Sequence, residues 1–169
     1  MIFFTKILGL KLNFLFKKTK TTTKIRMSSQ KSMIFLGEGG VGKTSLIRIM
    51  TGVDKRVERR YLAGNRLNVY KTDDYLIYDY PGQYKHNSLN LPTMPDICVI
   101  IYDRHTIQHT IHNWTKKMND IGFTGKFVFV KNKSDIETRK SPNHIYGTFI
   151  VSAKTGHRLD YLKKYLFNL

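Results

Sequence analysis

Four glycines are crowded into Gly37-Glu38-Gly39-Gly40-Val41-Gly42-Lys43-Thr44, with the apolar run Met33–Leu36 before them and a helical pattern behind. Glycine adopts backbone angles that other residues resist, so such a loop can turn successive N–H groups toward one point. A helix opening at its end adds unpaired N–H groups and a favourable dipole, which makes that point a seat for phosphate. A buried strand that enters the loop and a helix that leaves it form the first half of a strand–helix–strand unit. That restricts the chain to a sheet whose central strands run parallel.

The rest of the chain from Met33 keeps the same alternation. Lys43–Thr51 reads as a helix with Leu46, Ile47, Ile49 and Met50 available for packing. Leu67–Lys71 and Tyr75–Asp79 flank Thr72-Asp73-Asp74, a hairpin turn. Ile97–Tyr102, Phe127–Lys131 and Thr148–Val151 add further buried strands, six in all. Ile107, Ile111, Trp114 and Met118 recur at helical spacing, as do Leu159, Leu162 and Leu166. The fold class expected is α/β, a six-stranded and mostly parallel sheet with helices on both faces.

At 169 residues one domain accounts for the length, and it is assigned to residues 33–169. No apolar run is long enough for a transmembrane helix. Cys98 is the single cysteine, which excludes a disulfide scaffold and points to a reducing compartment. The net charge is +17, and residues 1–32 hold eight basic residues and no acid. In that segment Phe3, Phe4, Ile7, Leu8, Leu10, Leu12, Phe14 and Leu15 share one broad helical face, and a Lys/Thr/Ser tail to Ser32 reads as a linker. Three readings stay open for it: an anchor on an anionic membrane surface, an organelle transit peptide, or a segment upstream of a true start at Met27 or Met33. The expected location is cytoplasmic, at a membrane if residues 1–32 anchor the chain and in an organelle if they are a transit peptide. The basicity of residues 33–169 reads as a solvated surface, and nucleic acid is not expected as a partner.

Four motifs carry the chemistry. In the glycine loop, Gly37, Glu38, Gly39, Gly40, Val41 and Gly42 would present N–H groups to phosphates. Lys43 would supply a charge to the β- and γ-phosphates, the Thr44 hydroxyl would ligate Mg²⁺, and Ser45 would offer its N–H to the α-phosphate. Asp79-Tyr80-Pro81-Gly82-Gln83 ends a strand one hairpin later. There Asp79 can hold Mg²⁺ through water, the Gly82 N–H can reach a γ-phosphate, and Gln83 can orient an attacking water. Asn132-Lys133-Ser134-Asp135 and then Ser152-Ala153-Lys154 each follow a strand. Asp135 can accept from guanine N1–H and N2–H₂, where adenine would leave a buried carboxylate facing another acceptor. The Lys133 stem can pack on the base, Asn132 can tie this loop to the phosphate loop, and Ala153 N–H can meet guanine O6. GTP and GDP are the ligands these groups describe.

These motifs in this order resemble the small GTPases of the Ras superfamily, with Rab and Ras most alike in the glycine loop and Ser-Ala-Lys. Asp-Tyr-Pro-Gly-Gln is also similar to the Rag branch. The resemblance covers about residues 33–169 and implies a P-loop small G domain that binds GTP with Mg²⁺ and hydrolyses it slowly, with Gln83 and Lys43 catalytic. It further implies a nucleotide-dependent switch in signalling or vesicle traffic, served by effector, exchange-factor and activating proteins.

The chain departs from that pattern in four places. The loop between Gly52 and Leu67 has no threonine to close on Mg²⁺ and γ-phosphate, and holds Lys55-Arg56-Val57-Glu58-Arg59-Arg60-Tyr61 instead. That supports an alternative, a nucleotide-bound scaffold with little hydrolysis; the arginines could donate to phosphates in cis, but read first as a solvated loop that meets an acidic partner. Only 16 residues separate Asp135 from Ser152, too few for the long helix usual there. The last residues lack a cysteine and position 2 is Ile, so neither prenylation nor myristoylation is expected. His105, His109 and His112 fall on one helical face, which reads as an exposed polar stripe rather than a metal site.

Overall fold

The computed structural model describes residues 30–52, 58–62, 65–82, 89, 91–105, 107–136 and 147–169. Residues 1–29 of the anchor or transit segment expected over 1–32, the Lys55–Val57 part of the basic loop, Gln83 and the 137–146 connection lie outside these.

In chain order the elements are β1 (Lys31–Leu36), α1 (Lys43–Thr51), β2 (Glu58–Leu62), β3 (Asn65–Lys71), β4 (Tyr75–Asp79), β5 (Ile97–Tyr102), α2 (Ile107–Asp120), β6 (Lys126–Lys131), β7 (Phe149–Ile150) and α3 (Leu159–Phe167). They build one sheet in the order β2-β3-β4-β1-β5-β6-β7. The β2–β3 and β3–β4 pairs are antiparallel, and the remaining pairs are parallel. All six strands expected from the sequence are present, within about two residues of their expected ends. A seventh, β2, joins at the edge in register Glu58↔Val69 to Leu62↔Asn65. Its sequence, Glu-Arg-Arg-Tyr-Leu, lacks the apolar alternation that betrays a strand. Charge at a sheet edge discourages pairing with other chains, so such strands are poorly visible to patterning. Lys31 and Ser32, taken from sequence as the end of the linker, are instead the first two residues of β1, opposite Tyr75 and Leu76.

Side chains alternate across the central strands and so fill two cores. Met33 and Phe35 of β1, with Ile97, Val99 and Ile101 of β5, meet Leu46, Ile47 and Met50 of α1 and Leu159, Leu162 and Leu166 of α3. Ile34 and Leu36, with Cys98 and Ile100, meet Trp114 and Met118 of α2. The continuous apolar run of β5 is thereby explained, since all six residues are buried. Ile49, expected to pack, is half exposed, because it falls on the outer side of α1. Helix α2 starts at Ile107, so His105 lies in the preceding turn and the three histidines do not share one helix.

The chain leaves β1 for α1, returns through β4 on one side, and later enters β5 on the other. Connections diverge beyond the C-terminal end of β1, and the crevice formed there is where open parallel sheets bind ligands.

Candidate phosphate and base site

The phosphate loop fills that crevice. Gly42 has φ 93, left-handed backbone suited to glycine, and its N-terminal helix position leads into α1. Asn132 Nδ2 presses on the same residue, so a methyl group at Gly42 would overlap it. Gly37 and Val41 are buried, Glu38 is partly buried, Gly39 and Gly40 are exposed, and Ser45 is exposed on the first turn of α1. Lys43 is buried and donates from Nζ to the carbonyl oxygens of Gly37 (2.9 Å) and Glu38 (2.8 Å). Burial lowers the Lys43 pKa, opposed by the nearby Asp79 and Glu38 charges. A desolvated ammonium ringed by backbone gains from an anion brought beside it.

Asp79 stands at the end of β4, where the register with Phe35 brings it beside the loop. Thr44 Oγ1 donates to its Oδ2 at 2.6 Å. Burial raises the Asp79 pKa in spite of that bond, the Lys43 charge, a hydrogen bond from Asn68 and the Arg48 charge. A carboxylate and a hydroxyl, both hard oxygens and already side by side, are the donor types Mg²⁺ takes, and the carboxylate is still short of positive charge. The residues fit the ion. Gly82 lies so close to the backbone of Gly37, Glu38 and Gly39 that a methyl group there would overlap all three. The second motif is thus packed directly on the first.

Asn132 links the remaining motifs. It directly follows β6, is buried, and donates from Nδ2 to the Val41 carbonyl (2.8 Å) across 91 residues of sequence. Its Oδ1 accepts the Ala153 N–H (3.0 Å). That N–H, aimed from sequence at guanine O6, therefore has an acceptor already, and a base oxygen would have to share it. Ser152 is buried, and its hydroxyl donates to Asp135 Oδ1 (2.6 Å). This bond is the main reason the Asp135 carboxyl lies below its usual range; its own backbone N–H, Lys154 and Lys133 assist against desolvation. Asp135 and Lys154 are both exposed at the mouth of the site.

Lys133 has φ 64, uncommon for a side chain with Cβ, and this turns it back over the strand ends. Its Nζ meets Asp103 Oδ2 at 2.9 Å. Asp103 was not singled out from sequence. It is the first charged residue after the six buried positions of β5, which was the available signal, and its Oδ1 also accepts the His105 N–H (3.0 Å). Among the described residues no group of three or more His, Cys, Asp or Glu side chains could hold a metal ion, the histidines near α2 included.

A phosphate loop at the switch point of a mostly parallel sheet, with Asp79 and Gly82 packed on it and Asn132 bridging to it, defines a P-loop GTPase domain. A family model for the Roc, or Ras of Complex, domain of DAPkinase matches residues 32–135, and the chain belongs to that family. A probable GTP-binding protein EngB from Methanococcus aeolicus is 31% identical over 66 residues, which span 39% of this chain and 29% of that protein. The G domain of the T. maritima FeoB iron transporter superposes with a TM-score of 0.57 at 18% identity, covering 82% of this chain and 97% of that domain. The second likeness establishes the fold. The matched segment is less than a third of the EngB protein's length.

Proposed function

We propose that this domain binds GTP and GDP with Mg²⁺, hydrolyses GTP to GDP, and serves as a nucleotide-dependent switch of the Ras and Rab kind in signalling or vesicle traffic. The observation that carries the reading is Asn132, whose two side-chain atoms bond the phosphate loop at Val41 and the Ser152-Ala153-Lys154 loop at Ala153. That pairing supports one site shared by the glycine loop and the loops from which a base would be read. The GTP-binding name of the EngB relative supports the same nucleotide.

In this reading the N–H groups of residues 37–44 and the Lys43 ammonium hold the triphosphate and stabilise charge on its oxygens. Thr44 and Asp79 would hold Mg²⁺, which would neutralise charge on the bound phosphates. Asp135 reads the guanine edge while the Lys133 stem covers the base. Gln83 orients the water that attacks the γ-phosphorus in line, and the bond to the bridging oxygen breaks as GDP leaves. Effector, exchange-factor and activating proteins would act on the loops beside Gly82 and β2. A basic segment at residues 1–32 would bring the domain to an anionic membrane.

The test is single-turnover hydrolysis of bound GTP by the full chain, with ATP as control. Turnover that needs Mg²⁺ and is suppressed by Gln83→Leu with binding intact is expected. Tight and equal binding of GTP and GDP without turnover would reject hydrolysis and leave the scaffold reading.

A further inference from the structure

The turn Asp79-Tyr80-Pro81-Gly82 connects the carboxylate beside Thr44 with the glycine packed on the phosphate loop. Between those two ends the Tyr80 ring is buried, and it packs edge-to-face with Trp114 of α2 at a centroid distance of 5.8 Å and an interplanar angle of 74°. Trp114 is almost wholly buried and is the chain's only tryptophan. Among the described residues its indole Nε1 has no hydrogen-bond partner. Packing, rather than a directional bond, therefore decides where the ring sits. Lys117, one helical turn on, holds its Nζ 4.8 Å from the centre of the Trp114 ring. The same ammonium is within electrostatic reach of Glu38 in the phosphate loop. A cation held over an aromatic face favours one placement of that ring.

We propose that Trp114 and Lys117 are positioning residues for the phosphate site, holding the Asp79–Gly82 turn against the phosphate loop through Tyr80. The inference rests on the guanine-nucleotide reading above. Gly82 packs on the loop backbone, so a γ-phosphate bound there would reset the position of the turn, and Tyr80 would carry that change to Trp114. The indole is thereby a reporter of the phosphate state as well as a part of the device.

The experiment uses the full chain loaded with GDP or with a non-hydrolysable GTP analogue. Calorimetry records binding, tryptophan fluorescence records the state of Trp114, and a separate GTP experiment records single turnover. Wild type is expected to differ in emission between the two nucleotides. Lys117→Met, which keeps the aliphatic stem, is expected to erase most of that difference and to slow turnover about three- to tenfold, with GDP affinity unchanged. Lys117→Arg is expected to restore both. Identical wild-type emission in the two states overturns the proposal, as does a Lys117→Met protein that keeps the emission difference. A GDP affinity that falls in step with the other readouts would make Lys117 merely structural and also overturn it. Absence of any guanine-nucleotide binding by wild type rejects the functional reading itself, and calorimetry distinguishes that case.

Discussion

Replacing Asn132 by Asp is the sharpest perturbation this structure offers. The substitution is nearly isosteric and keeps an oxygen for the Ala153 N–H, but it turns the donor facing the Val41 carbonyl into a second acceptor. The buried bond contributed about 0.5–1.5 kcal/mol, and stranding a buried carbonyl costs about 1–3 kcal/mol more. A loss of about 1.5–4.5 kcal/mol follows for the nucleotide-free protein, before any repulsion between the two oxygens. At about 2–4 °C per kcal/mol for a chain of this size, the melting temperature should fall by about 3–18 °C. Asn132→Ala, which also strands the Ala153 N–H, should cost at least as much. Urea denaturation of the full chain without nucleotide, followed by circular dichroism, measures both. An Asn132→Asp protein as stable as wild type would refute the reasoning, because the Val41 bond would then contribute nothing.

Burial holds the Asp79 pKa above its unfolded value, so the folded state binds the extra proton more readily. The stability this group contributes is present in acid and is lost as pH rises from the ordinary carboxylate range through the raised value. Asp79→Asn, which keeps an acceptor for Thr44, should therefore be neutral or stabilising near pH 7 without nucleotide while abolishing Mg²⁺-dependent nucleotide retention; thermal melts with and without GDP and Mg²⁺ check it. Ser152→Ala removes the bond that lowers the Asp135 carboxyl, so that titration should move upward when followed by NMR. Gly82→Ala forces a methyl group onto backbone that cannot swing aside, at about 1–3 kcal/mol, and should weaken GTP-analogue binding more than GDP binding in parallel calorimetric titrations.

What could be read from the residues alone was local. Short apolar runs, the glycine loop, Thr72-Asp73-Asp74 and the helical spacing of Leu159, Leu162 and Leu166 each depend on neighbours a few positions away. Patterning of that kind carries strands, turns and helices reliably. The four motifs could be put in one site because each follows a strand, and parallel strands end on one side of a sheet. The strand β2 was hidden because an edge strand needs little apolar patterning and depends on β3 for its hydrogen bonds.

Contacts between distant segments belong to the tertiary structure. Lys133 meets Asp103 30 residues away, and Trp114 meets Tyr80 across 34 positions. Asn132 reaches Val41 across 91. No local pattern encodes such pairs, since any acid near the end of β5 or any ring on α2 satisfies the same periodicity. The Ala153 N–H shows the consequence: its motif marks a donor, and only the fold decides that Asn132 Oδ1 is the acceptor it faces. The sequence by itself determined which groups stand at the strand ends, because backbone propensity and burial act over short spans. The tertiary structure decided which of those groups touch, because that depends on strand order and register, set by packing of the whole sheet.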